Sequence, residues 1–286
     1  MTRRVLFVIA FVIGLIANPL ISASRADEVW QQLPPVPELP KAKKSGYAAV
    51  NGIKLYYAIY GKGQPLLLLH GGLGNADYWG NQVPTFANKY QVIVVDSRGH
   101  GRSTRDDKPF SYGLMASDVL ALLDFLKIKR TALVGWSDGG VIGLDIAIHH
   151  PDRLTKLFAF GANYNMAGVR PDIGNSAVFK RYITQAGQDY THLSKTPADY
   201  ESFLAAVSKM WETEPNYSQD QLRHISVPTA ISDGEHDEAI RRDHTEEMAK
   251  LIPNAKMIIL PDASHFAMWQ QPAAFNKAVL GFLAGK

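Results

Sequence analysis

Residues Val134-Gly135-Trp136-Ser137-Asp138-Gly139-Gly140 constrain this chain more than any other stretch. A short apolar run (131–134) precedes the G-x-S-x-G pattern, and a helix-compatible run (141–149) follows it. A strand that turns this abruptly into a helix holds the middle residue on a strained elbow. Its side chain is then exposed, with a helix N-terminus beneath it. Gly135 and Gly139 suit so tight a turn because larger side chains would strike the neighbouring strand and helix. With the right elements on both sides, Ser137 becomes a candidate nucleophile.

The rest of the chain supplies a frame for that elbow. Asn51-Gly52 between residues 47–50 and 53–60 reads as a β-hairpin, since Asn-Gly tolerates positive φ. Apolar runs at 65–69, 91–95, 131–134, 157–160, 229–231 and 257–260 have the unbroken character of strands buried on both faces. Helix-length segments at 76–88, 114–126, 141–149, 244–251 and 272–283 alternate with them, which predicts a mostly parallel sheet covered by helices. The rhythm breaks at 162–225. No buried strand is evident there, while aromatics including Tyr164, Phe179, Tyr182 and Trp211 are scattered through it. A stretch that long predicts a small helical insertion, placed as a cap over the end of the sheet.

The first 26 residues read as an export signal: Arg3 and Arg4, an apolar run to Leu20, then Ser24-Arg25-Ala26, which predicts cleavage after Ala26. The run is short for a span and holds Gly14, Asn18 and Pro19, so no stable membrane insertion is expected after cleavage. The expected location is periplasmic or secreted. Four prolines between residues 31 and 44 predict an extended linker over 27–45. The formal charge of +3 comes from Arg3, Arg4 and Arg25; the remaining 27 basic and 27 acidic residues balance, which excludes a nucleic-acid-type basic surface. With no cysteine, the chain has no disulfide and no thiolate chemistry. Oligomeric state leaves no mark on the sequence.

A serine hydroxyl attacks only when an imidazole takes its proton, and that imidazole needs a carboxylate to fix its tautomer. The strand run 229–231 leads into Ser232-Asp233-Gly234-Glu235-His236-Asp237-Glu238, and 257–260 leads into Pro261-Asp262-Ala263-Ser264-His265-Phe266. His265 is the candidate base, with His236 as rival. Asp237, Asp233 and Glu235 compete as the acid. No histidine pair has metal-ligand spacing with a third ligand, so no metal and no cofactor is expected.

Residues 46–284 resemble the α/β-hydrolase superfamily. The resemblance rests on His70-Gly71-Gly72, Asp96-Ser97-Arg98-Gly99-His100-Gly101-Arg102-Ser103, Gly135 to Gly140, Gly234-Glu235-His236-Asp237 and Ser264-His265-Phe266. It implies an α/β fold with an eight-stranded, mostly parallel sheet, flanking helices and a small helical cap (162–225) on a core of 46–161 and 226–286. The family's G-x-x-D pattern selects Asp237. It also implies an oxyanion hole from the backbone N–H groups of Asp138 and Gly72, with Leu73 as the near alternative, while His70 braces the loop and Arg98 and His100 hold neighbouring turns. Gly-Trp-Ser-Asp-Gly-Gly with Phe160-Gly161-Ala162-Asn163 is similar to the valacyclovir-hydrolase-like (biphenyl-hydrolase-like) group, in which the acid beside the nucleophile binds a substrate amine. By that likeness Asp138 would select cationic acyl groups. The competing expectation is a carboxylate tied to nearby backbone or to a cap residue. Trp136, Leu73 and Phe266 are candidate substrate contacts. The expected activity is hydrolysis of a small carboxylic ester through an acyl-enzyme, with lactone, carbon–carbon bond and amide hydrolysis as alternatives.

Overall fold

The computed structural model describes residues 28–285, so the leader read over 1–26 lies outside the described residues. The apolar runs become strands of one sheet. β1 (Lys44–Val50) and β2 (Ile53–Gly61) form the hairpin, turned by Asn51 and Gly52 at φ 47° and 81°. β3 (Gln64–Leu69), β4 (Tyr90–Val95), β5 (Thr131–Trp136), β6 (Leu154–Phe160), β7 (Thr229–Gly234) and β8 (Lys256–Leu260) complete the order β1-β2-β4-β3-β5-β6-β7-β8. The β1–β2 and β2–β4 pairs are antiparallel and the remaining pairs parallel. β5 is buried along its whole length, as a central strand covered on both faces must be, and this is why the run shows no polar alternation.

The helices are α1 (Val83–Phe86), α2 (Tyr112–Phe125), α3 (Asp138–His149), α4 (Ala177–Leu193), α5 (Tyr200–Trp211), α6 (Gln219–Arg223), α7 (Arg242–Leu251), α8 (Ala267–Gln270) and α9 (Pro272–Leu283). α2 starts where the Ser111 hydroxyl accepts the Leu114 N–H at 3.1 Å, an N-cap that satisfies one orphan donor. The single helix expected over 76–88 is divided into a 3₁₀ turn (Ala76–Trp79) and α1. Pro84 has no N–H to continue the first piece but fits the first turn of the second. Arg98, fully buried, binds both Asp118 oxygens (2.7 and 2.8 Å) and Asp106 (2.7 Å), while Asn51 also reaches Asp118 at 2.9 Å. This network ties the hairpin, α2 and the loop after β4 together, the bracing role expected of Arg98.

α4 and α5 belong to the insertion. Val178, Tyr182, Ala186 and Tyr190 on α4, and Phe203, Val207 and Met210 on α5, are buried at intervals of three or four residues. Each helix therefore turns one apolar stripe toward the body.

The linker reading needs correcting. Residues 32–43 are extended, yet they are bound to the core as a strap. Leu33, Val36, Leu39 and Ala42 pack on the hydrophobic core. Pro37 presses its carbonyl so closely on Gly80 that a Cβ there would lie 1.7 Å from it. The Trp30 ring stacks on His236 at 4.5 Å. Gln270 donates to the carbonyls of Trp30 (3.0 Å) and Gln32 (2.8 Å), and Arg181 of α4 donates to that of Gln31.

Candidate active site

The C-terminal ends of β3, β5, β7 and β8 converge, and each delivers one part of a site. Ser137 follows β5 at φ 53° and ψ −121°, the strained backbone anticipated for an elbow. Both glycines are required there. A Cβ at Gly135 would sit 2.2 Å from the Gly139 carbonyl, and one at Gly139 would sit 2.2 Å from that of Leu69. Asp138 begins α3, so its backbone N–H has no acceptor within the helix.

His265 lies just beyond β8, and its Nδ1 is 2.7 Å from Asp237 Oδ2, with both side chains buried. The other Asp237 oxygen accepts the Ala239 and Ile240 N–H groups at 2.6 and 2.7 Å, fixing the carboxylate. Burial disfavours the Asp237 charge, but the His265 charge and hydrogen bond outweigh it and bring its pKa down to about 2. Burial likewise opposes a charged His265, yet Asp237, with Glu238 and Asp138 adding, raises its pKa above the ordinary value. An ionised Asp237 makes Nδ1 the protonated nitrogen and leaves Nε2 as the basic one. Room for the ring comes from Gly161 at φ 58°, where a Cβ would be 2.8 Å from His265 Cε1.

The rival residues are placed elsewhere. His236 is exposed under Trp30, and Glu235 is exposed and accepts the Asp262 N–H at 3.2 Å. These three side chains, Glu235, His236 and Asp262, are close enough to hold an ion but are solvent-facing. Asp233 is buried, bonded to the Gly234 N–H (2.9 Å) and the Thr245 hydroxyl (2.7 Å). Burial and then the adjacent Asp237 charge keep its pKa well above the carboxylate range, so Asp233 stands as a neutral support behind the acid. Glu238 Oε2 accepts the His265 backbone N–H at 3.1 Å, a contact no motif signalled.

The loop after β3 lies against the elbow: a Cβ on Gly71 would be 3.1 Å from Ser137 Cβ. Gly74 N bonds to the Gly71 carbonyl at 3.0 Å, with Leu73 at φ 64°, a type II turn. His70 donates from Nδ1 to the same carbonyl at 2.7 Å and accepts the Ser97 N–H on Nε2 at 3.0 Å. Burial lowers its pKa to about 4, so it is neutral and braces the loop. Among the described residues, the N–H groups of Gly72 and Asp138 have no protein acceptor.

The Asp138 carboxylate is buried and already partnered. Tyr112 Oη donates to Oδ1 at 2.9 Å, and Trp211 Nε1 of α5 lies 3.2 and 3.0 Å from its two oxygens. Burial pushes its pKa up to about 6 against these donors and the nearby His265 charge. A tie to a cap residue is thus what the fold provides at this position. Trp136 and Phe266 are buried in an aromatic cluster with Tyr182 and Trp269, 6.0 and 5.8 Å from the His265 ring centre. Above them the cap places Phe179, 6.3 Å from that ring. A cavity of about 750 Å³ opens nearby between the loop after β4 and the cap, lined by Phe110, Tyr190, Met210 and Glu214; Ser137 does not line it.

Residues 66–278 match the alpha/beta hydrolase family. The chain belongs to that family. It is 27% identical over 278 residues to the serine hydrolase BPHL of Mus musculus, covering 92% of this chain and 94% of the mouse protein. It is 24% identical to the 2-hydroxy-6-oxo-6-phenylhexa-2,4-dienoate hydrolase of Burkholderia cepacia, over 86% of this chain and 99% of that one. The crystal structure of the enol-lactonase from Burkholderia xenovorans LB400 superposes with a TM-score of 0.67 at 26% identity, covering 83% of this chain and 99% of the lactonase. An alpha/beta hydrolase with BPHL-like relatives, as the motifs suggested, is thereby established, and so is the fold.

Proposed function

We propose that this alpha/beta hydrolase is an exported serine hydrolase that cleaves a small carboxylic ester through an acyl-enzyme. The observation that carries the reading is the 2.7 Å bond between His265 Nδ1 and Asp237, set beside a serine on a strained strand-to-helix elbow. Ser137 Oγ attacks the ester carbonyl as His265 Nε2 takes its proton. The oxygen that becomes negative is met by the Gly72 and Asp138 N–H groups. The C–O bond to the alcohol breaks, and His265 returns the proton to the leaving oxygen. Water, deprotonated by the same nitrogen, then attacks the acyl carbonyl and releases the acid and free Ser137.

A lactone is a cyclic ester, and the likeness to an enol-lactonase makes ring-opening of a small lactone the second reading, with identical steps. The Trp211 and Tyr112 donors on Asp138 favour neutral acyl groups over α-amino ones, because an ammonium would have to displace the indole. Ser137→Ala tests the reaction class. It should lower p-nitrophenyl ester hydrolysis by roughly three orders of magnitude or more, with the melting transition retained. Full turnover in that variant refutes the reading. Export is tested separately by sequencing the N-terminus of the protein recovered outside the cytoplasm, which should begin at Asp27.

A further inference from the structure

The cap grips the two residues that supply the oxyanion donors. Its contacts to them are polar and directional.

Tyr182 of α4 donates its hydroxyl to the Gly72 carbonyl at 2.5 Å. That carbonyl belongs to the middle peptide of the type II turn, the one whose orientation distinguishes a type II turn from a type I turn. Leu73 sits at φ 64°, a region a leucine occupies only under constraint. Without the Tyr182 bond, rotation of this peptide would return Leu73 to negative φ. The edge that now presents the Leu73 N–H would then present the Gly72 carbonyl oxygen, an acceptor next to the Gly72 N–H where an oxyanion needs donors.

Trp211 of α5 holds the other side. Its indole N–H bonds the Asp138 carboxylate, and the same ring covers the loop: a Cβ on Gly72 would be 2.3 Å from its Cζ2. Asp138 is thus fixed from two directions, by Tyr112 of the core and Trp211 of the cap. The Gly72 N–H belongs to the preceding peptide, which the core holds through His70 and the Gly74 N–H on the Gly71 carbonyl, so Tyr182 acts on the hole by keeping the adjoining Gly72 carbonyl turned away from that donor.

We infer that Tyr182 and Trp211 are positioning residues for the oxyanion hole, so that the hole is complete only while the cap is seated. Catalytic competence and cap closure are then one event, and a substrate that props the cap open meets a serine whose oxyanion site has lost the hold on the Gly72 carbonyl and the Asp138 carboxylate. The inference rests on the serine-hydrolase reading of Ser137.

The test uses the full-length protein with Tyr182→Phe, which removes the donor and keeps the ring, and Trp211→Phe, which removes the donor and leaves a smaller aromatic ring in its place. kcat and KM are measured on a p-nitrophenyl ester, along with inhibition by a phenylboronic acid, which forms a tetrahedral adduct on the serine. Each variant should lose about 10- to 100-fold in kcat, lose boronate affinity in parallel, and hold KM within about twofold. Labelling by a fluorophosphonate, present in wild type and absent in Ser137→Ala, separates the two levels. If Ser137 is labelled but both variants keep wild-type kcat and boronate affinity, the cap merely packs and the inference fails while the hydrolase reading stands. An effect on KM alone also overturns it, because the cap would then bind substrate without shaping the hole. If wild type is neither labelled nor active on esters or lactones, the hydrolase reading fails and takes the inference with it.

Discussion

The two sides of the site are built differently. On the acid–base side the direct polar partners of the pair are core groups: Asp237 is fixed by two backbone N–H groups and His265, and His265 by the carboxylates of Asp237 and Glu238. The cap reaches only their surroundings, through the Arg170 N–H on the Ala239 carbonyl at 2.8 Å and the Phe179 ring. The oxyanion side is shared, since Tyr182 and Trp211 of the cap hold the Gly72 carbonyl and the Asp138 carboxylate. A proton relay needs fixed geometry throughout the cycle, which a sheet edge provides. The oxyanion exists only in the tetrahedral intermediates, so its donors need be in place only while the cap covers the substrate.

Breaking the acid–base side should have the larger effect. Asp237→Asn keeps the shape but removes the charge that selects the Nδ1–H tautomer, and kcat should fall by roughly three to four orders of magnitude. Stopped assays on the purified variant check this, and the cap-directed variants should fall short of that loss by at least tenfold. A pH profile sharpens the comparison next. His265 must be neutral to accept the serine proton, and its pKa lies above the ordinary 6.5, with burial opposing and Asp237 dominating the rise. Activity should therefore be lost as pH falls, with the midpoint of kcat/KM above 6.5. In Asp237→Asn burial is left without its main opponent, and the limb should move to lower pH. Tyr182→Phe and Trp211→Phe should leave that midpoint within about 0.3 units, a margin small against the roughly one-unit spread of histidine values in proteins.

The strap should matter least to chemistry. Trp30→Ala removes the stack on His236, worth about 1 kcal/mol. The melting temperature should drop by roughly 2–4 °C while kcat stays within about twofold. A large kcat loss would mean that the strap, too, shapes the site.

How much was legible follows the same division. Asp237 and His265 are 28 residues apart, each just past an apolar run, and strand order alone brings such loops together. Ser137 and its glycines are a local motif. Tyr182 and Trp211 stand 110 and 73 residues from the atoms they hold. Helical spacing shows that Tyr182 faces inward, but no spacing rule names the carbonyl it will reach. The four prolines of the strap indicate stiffness and say nothing of docking. Leu33, Val36, Leu39 and Ala42 recur every third residue, the period of an extended proline-rich chain, and that apolar row was the available sign of docking.

The sharpest test of the divided site is the single-turnover rate of Ser137 acylation, followed by stopped-flow release of p-nitrophenol at saturating ester. Tyr182→Phe should slow this step by about tenfold or more with the half-saturating concentration unchanged. An acylation rate equal to wild type would mean that the core builds the oxyanion hole unaided and that the cap has no part in the chemistry.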